Sequence, residues 1–67
     1  MPDEIQQAIE AIEKEFPGWS VWPYEDCPQT LEATNGDGNH LSIWSRRGAS
    51  VAGAALRAAI AAIEEAK

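Results

Sequence analysis

Cysteine and histidine are nearly missing from this chain, which has one of each, Cys27 and His40. An internal disulfide is therefore excluded, and a structural zinc site lacks its usual ligands. Cys27 stands between Asp26 and Pro28, with no CxxC partner and no basic neighbour to favour the thiolate, so it reads as a loop cysteine in a reducing compartment. Positive charge is scarce as well. Five Lys and Arg face 11 Asp and Glu, and the resulting net charge of -6 argues against nucleic acid as a partner, because phosphates are held mainly by Lys and Arg. No apolar run approaches the roughly 20 residues that span a bilayer. Met1-Pro2-Asp3-Glu4 is acidic where a signal peptide needs a basic start. The expectation is a soluble, cytoplasmic protein with no membrane partner.

At 67 residues the chain reads as one domain, 1–67, with little room for a core. Domains this short usually gain support from a disulfide, a metal or a partner subunit, and here the disulfide is excluded and zinc lacks ligands. Self-association gains weight accordingly.

Two helices and three strands are predicted. Pro2 and Asp3 suit a helix start, and Ile5, Ala8, Ile9, Ile12 and Phe16 recur at three- and four-residue steps along one stripe. Pro17-Gly18 ends that helix, which should run from about Asp3 to about Glu15. Trp19 to Tyr24 is aromatic and β-branched, with Pro23 restricting it to a sheet edge or a strand end. A polar loop is expected from Glu25 to Pro28. Thr30 to Thr34 and His40 to Ser45 flank Asn35-Gly36-Asp37-Gly38-Asn39, whose residue types tolerate the positive φ of a tight hairpin. Ser50 is expected to cap an alanine-rich helix ending near Ala66, with Ala52, Leu56, Ala59, Ile60 and Ile63 as its apolar stripe. The fold class is α+β: helix, three-stranded antiparallel meander, helix, with both helices on one face of the sheet.

Strand alternation then fixes the other face. If Trp19, Val21, Leu31, Ala33, Leu41 and Ile43 meet the helices, then Trp22, Tyr24, Glu32, Thr34, Ser42, Trp44 and Arg46 point away from them. Nothing in the chain is left to cover that side. An aromatic patch rimmed by polar groups marks an interaction surface. The alternative, that Trp22 and Trp44 fold over a sheet edge as partial core, stays open at this point.

Motifs for chemistry are few. Asn35 to Asn39 resembles the opening of an EF-hand loop, but His40 stands where that loop needs glycine and Arg46 where it needs its bidentate glutamate. A hairpin turn is the better reading. Arg46-Arg47 precedes the second helix, where free backbone N–H groups and guanidinium groups together suit an anion or a phosphate-bearing ligand. The competing expectation is that both arginines pair with the surplus carboxylates of the first helix and of Glu25-Asp26, or simply stay solvated. His40 is expected to cap the hairpin, having no nucleophile pattern around it. Glu10 with Glu13 and Glu64 with Glu65 sit on solvent-facing helix positions, too open to shift a carboxylate toward general acid work. The chain reads as non-enzymatic, with no cofactor or metal implied.

The run Phe16-Pro17-Gly18-Trp19-Ser20-Val21-Trp22, then Leu31-Glu32-Ala33-Thr34 before a glycine-rich turn, then an alanine-rich closing helix carrying Leu56, resembles short, largely uncharacterised α-β-β-β-α proteins of high-GC actinobacteria and their bacteriophages. That resemblance implies an accessory factor of phage or host and brings no catalytic residues. The function expected is a protein-interaction module using Trp22, Tyr24 and Trp44, with Arg46 and Arg47 at the rim. Its partner is a second copy of the chain or another protein. The alternative is a small anion-binding domain at the Arg46-Arg47 helix start.

Overall fold

The computed structural model describes residues 3–67, so the expectation that Pro2 opens the first helix lies outside the described residues. Helix α1 covers Glu4–Glu15. Asp3 caps it, its carboxylate accepting the Ile5 N–H at 3.0 Å and so satisfying a donor the first helical turn leaves free. Phe16 donates its N–H to the Ile12 carbonyl at 2.9 Å, after which Pro17-Gly18 turns the chain into strand β1, Trp19–Tyr24. Strands β2, Cys27–Asn35, and β3, His40–Trp44, complete an antiparallel sheet in the order β1-β2-β3. Helix α2, Ala49–Ala66, closes the fold.

The register explains how the sheet tolerates its prolines. Val21 opposes Ala33, Trp22 opposes Glu32 and Pro23 opposes Leu31, and the ladder then slips so that Tyr24 meets Cys27. The irregularity falls directly after Pro23, which has no N–H to give a ladder. On the other side Leu31 opposes Ile43 and the pairing ends with Thr30 opposite Trp44. Pro28 thus lies in β2 beyond the reach of β3, where its missing donor costs nothing. This corrects the polar loop expected over Glu25 to Pro28: only Glu25-Asp26 turns the chain, and Cys27 and Pro28 belong to the strand. β3 also stops at Trp44, one residue short of expectation. The Ser45 hydroxyl accepts the Arg47 N–H at 3.1 Å and bends the backbone out of the ladder.

Ser50 does not cap α2. The cap is Gly48, at φ 112° and ψ 179°, and its carbonyl accepts the Ala52 N–H with no side-chain help. Such a backbone is open essentially to glycine alone.

Both helices lie on one face of the sheet. Ile12, Leu31, Leu56 and Ile60 are fully buried there, joined by Ile9, Trp19, Val21, Ala33 and Ala52. Ile63, Leu41 and Ile43 pack at the margin. The helices approach closely where Gly53 of α2 meets Ala8 of α1. Two exposed carboxylates also bind the structure together. Glu13 of α1 accepts the Val21 N–H at 3.3 Å, and Glu64 of α2 accepts the Trp19 indole N–H at 3.1 Å. Glu15 meets Arg57 Nε at 2.7 Å as an ion pair without hydrogen-bond alignment, linking α1 to α2. No helix among the described residues is long and apolar enough to cross a membrane.

Candidate functional site

The side of the sheet away from the helices is built by the second set of strand side chains. β1 supplies Trp22 and Tyr24, β2 supplies Thr30, Glu32 and Thr34, and β3 supplies His40, Ser42 and Trp44. Among the described residues no other element packs over them. Trp22, Tyr24 and Trp44 are 37%, 46% and 56% exposed, so the rings are neither folded into the core nor free in solvent. Thr30 on the central strand is nevertheless buried. The result is a shallow aromatic platform.

Polar contacts hold the platform in place. The Trp22 indole donates to Glu32 Oε2 at 3.2 Å, and His40 Nε2 lies 3.4 Å from Glu32 Oε1. The Trp22 and His40 rings stack across the sheet, with centroids 6.3 Å apart and planes 16° from parallel. Glu32 is therefore a clip joining β1 to β3 over the strand between them. His40 was expected to cap the hairpin. Instead its side chain belongs to this face, because Thr34–His40 is the last cross-strand pair and its ring reaches back over Glu32. The hairpin is tied by Asn35, whose side-chain oxygen accepts the N–H groups of Asp37 and Asn39 at 3.0 and 3.1 Å. The Thr34 hydroxyl adds a bond to the Asn39 carbonyl at 3.0 Å. Asp37 is engaged by Lys67 Nζ at 2.8 Å, and the ammonium beside it holds its carboxyl below the ordinary carboxylate range.

The opposite end of the sheet carries the two arginines. Arg46 places its guanidinium carbon 5.0 Å from the centre of the Trp44 ring, a cation–π contact that extends the platform with positive charge. Arg47 is exposed. Neither pairs with a carboxylate among the described residues: of the two outcomes expected, pairing with α1 or Glu25-Asp26 and a solvated position, both arginines show the second, and Arg57 is the arginine that α1 engages. Cys27 lies half-buried at the same end. Its thiol sits below its ordinary value, chiefly because the Thr30 side chain favours the thiolate. Partial burial works against this, and the Trp44 side chain and the backbone N–H groups of Gln29 and Thr30 add to it. No basic neighbour is involved, which is why the sequence neighbourhood of Cys27 gave no hint of it.

Trp22, Tyr24, Trp44 and Arg46, predicted from alternation, thus come together on one face. His40, expected as a hairpin cap, and Cys27, expected in a loop, join them together with Thr30, the strand residue opposite Trp44. The arrangement offers flat π surfaces, one clipped carboxylate and a positive corner on an open face rather than in an enclosed pocket. No protein-family model, curated protein or solved structure matches this chain. What fold and site define together is an α+β domain with one aromatic sheet face left open among the described residues.

Proposed function

We propose that this protein is a non-enzymatic protein-interaction module that binds through the sheet face formed by Trp22, Tyr24 and Trp44, with Arg46 and Arg47 at its rim. One observation carries this reading: three large aromatic side chains stay substantially exposed on a face that no other element covers among the described residues. Trp, Tyr and Arg dominate binding hot spots because they combine large apolar area with a directed polar group. A rigid sheet holding them in place lowers the entropy cost of association. An accessory role in a phage or its host fits such a module and rests on the resemblance alone.

The test compares the native chain with Trp22→Ala and Trp44→Ala. Both variants should keep the far-ultraviolet circular dichroism of the native chain while losing association with its partner. Hydrogen exchange in the native complex should slow at β1 and β3. Unfolding of both variants would make the rings core residues and end the proposal. A second reading, anion binding at Arg46 and Arg47, draws on their lack of a carboxylate partner among the described residues. It requires a rise in melting temperature with phosphate compounds, since a ligand of the native state alone stabilises it.

A further inference from the structure

We propose that the occupant of the aromatic face is a second copy of this chain, packed sheet on sheet about a two-fold axis that runs parallel to β2. The inference rests on the interaction reading above and goes further by naming the partner and its orientation.

The charge pattern selects this orientation. At one end of the sheet, two short connections lie on opposite sides of the central strand. Glu25-Asp26 joins β1 to β2, and Arg46-Arg47 follows β3. All four residues are exposed, and none forms an ion pair within the chain among the described residues. A two-fold rotation about an axis between the sheets, parallel to the strands, lays β1 of each copy over β3 of the other with strand ends in line. Glu25-Asp26 of each copy then stands against Arg46-Arg47 of the second copy, and symmetry makes that contact twice. The same rotation sets Tyr24 over Trp44 of the second copy. Aligned sheets of this kind are a standard packing for antiparallel strands.

An axis running across the strands does worse. It carries the arginines to the hairpin end, where Asp37 is already taken by Lys67. The parallel axis has one unfavourable feature. β2 lies beneath it, so Glu32 faces Glu32 of the second copy, and close carboxylates disfavour one another.

Size sets the strength. From their fractional exposures, the three rings offer roughly 300 Å² of surface. A standard interface takes about 800 Å² from each partner. The aromatic contact alone is too small for a permanent dimer, so the two charged contacts must supply orientation and part of the affinity. The assembly belongs to the weak, reversible class.

Sedimentation equilibrium from about 10 μM to about 1 mM, the range in which weak contacts register, provides the test. Three samples accompany the native chain: Glu25→Lys with Asp26→Lys, Arg46→Glu with Arg47→Glu, and an equimolar mixture of these two. The native chain should shift from monomer toward dimer. Each charge-reversed variant alone should associate about tenfold more weakly, and the mixture should recover to within about threefold as a heterodimer. Glu32→Gln should tighten the dimer by about tenfold. A native chain that stays monomeric to about 1 mM overturns the proposal, as does a dimer indifferent to both reversals or a mixture that fails to recover. The general interaction reading survives any of these results, because it stands or falls on Trp22→Ala and Trp44→Ala with a different protein.

Discussion

Replacing Gly53 by alanine measures how closely α1 and α2 pack. A Cβ at position 53 would stand 3.1 Å from the Ala8 Cβ, while Leu31 Cδ1 and Ile12 Cδ1 at 3.9 and 4.0 Å are ordinary neighbours. Two effects oppose each other. Alanine is the better helix former by about 1 kcal/mol. Forcing a methyl into a filled interface costs about 1–3 kcal/mol. The second should win, because Ala8 is fixed to a helix backbone and cannot swing aside as a long side chain would. Gly53→Ala should therefore destabilise the chain by about 1 kcal/mol, a noticeable part of the roughly 3–10 kcal/mol expected at this length. Ala8→Gly alone should cost about 1–2 kcal/mol in helix propensity and lost burial. The double variant moves the methyl from one helix to the other and should return to within about 0.5 kcal/mol of the native chain. Urea denaturation followed by circular dichroism gives all four corners of the cycle. Stabilisation of Gly53→Ala by the full propensity gain, or simple additivity in the double variant, would refute the close approach.

Gly48→Ala should destabilise the chain by about 1–3 kcal/mol despite open space around it, since its backbone conformation is closed to side chains; a change under about 0.5 kcal/mol in the same denaturation assay would contradict that geometry. The Asp37 carboxyl, depressed by Lys67, contributes stability above its unfolded value that is lost as pH falls through its lowered folded value. Lys67→Met should flatten that part of the acid-denaturation curve, and identical curves would show the pair to be inert. Lys67 is raised in turn by Asp37, so its share is intact below the unfolded lysine value and is lost as pH rises through the folded one. Cys27 should react with a disulfide reagent at lower pH than a free thiol, and Thr30→Val should shift that profile upward; an unmoved profile would remove Thr30 as the cause.

Most of the architecture was legible because it follows from local chemistry. The stripe from Ile5 to Phe16 and the acid Asp3 at the helix start define α1 within a residue of its observed start. Leu31, Ala33, Leu41 and Ile43 pick the face that meets the helices, and the remaining aromatics then have only one side to occupy. What escaped depends on pairing between distant segments. Pro28 argues against a strand until the register shows that β3 ends before reaching it. Ser50 is a good cap by type, yet Gly48 two residues earlier adopts a backbone only glycine takes. Glu32, His40 and Trp22 lie far apart in the chain, and only the observed register makes one cluster of them. Arg46 beside Trp44 was nearer to view, since the two lie only two residues apart, although the guanidinium reaches the ring from the turn after β3 and not from the strand.

The three tryptophans occupy three unlike settings, so the molecule carries its own set of optical reporters. Trp19, buried and bonded to Glu64, emits from a dry environment and is shielded from an aqueous quencher such as iodide; its signal follows the docking of α2. Trp22, stacked on His40, senses the clip across the sheet. Trp44, the most exposed and lying beneath Arg46, answers first to anything that lands on the open face. Single-tryptophan versions, with phenylalanine at the other two positions, would separate unfolding, rearrangement of the clip and occupation of the surface as three independent emission changes.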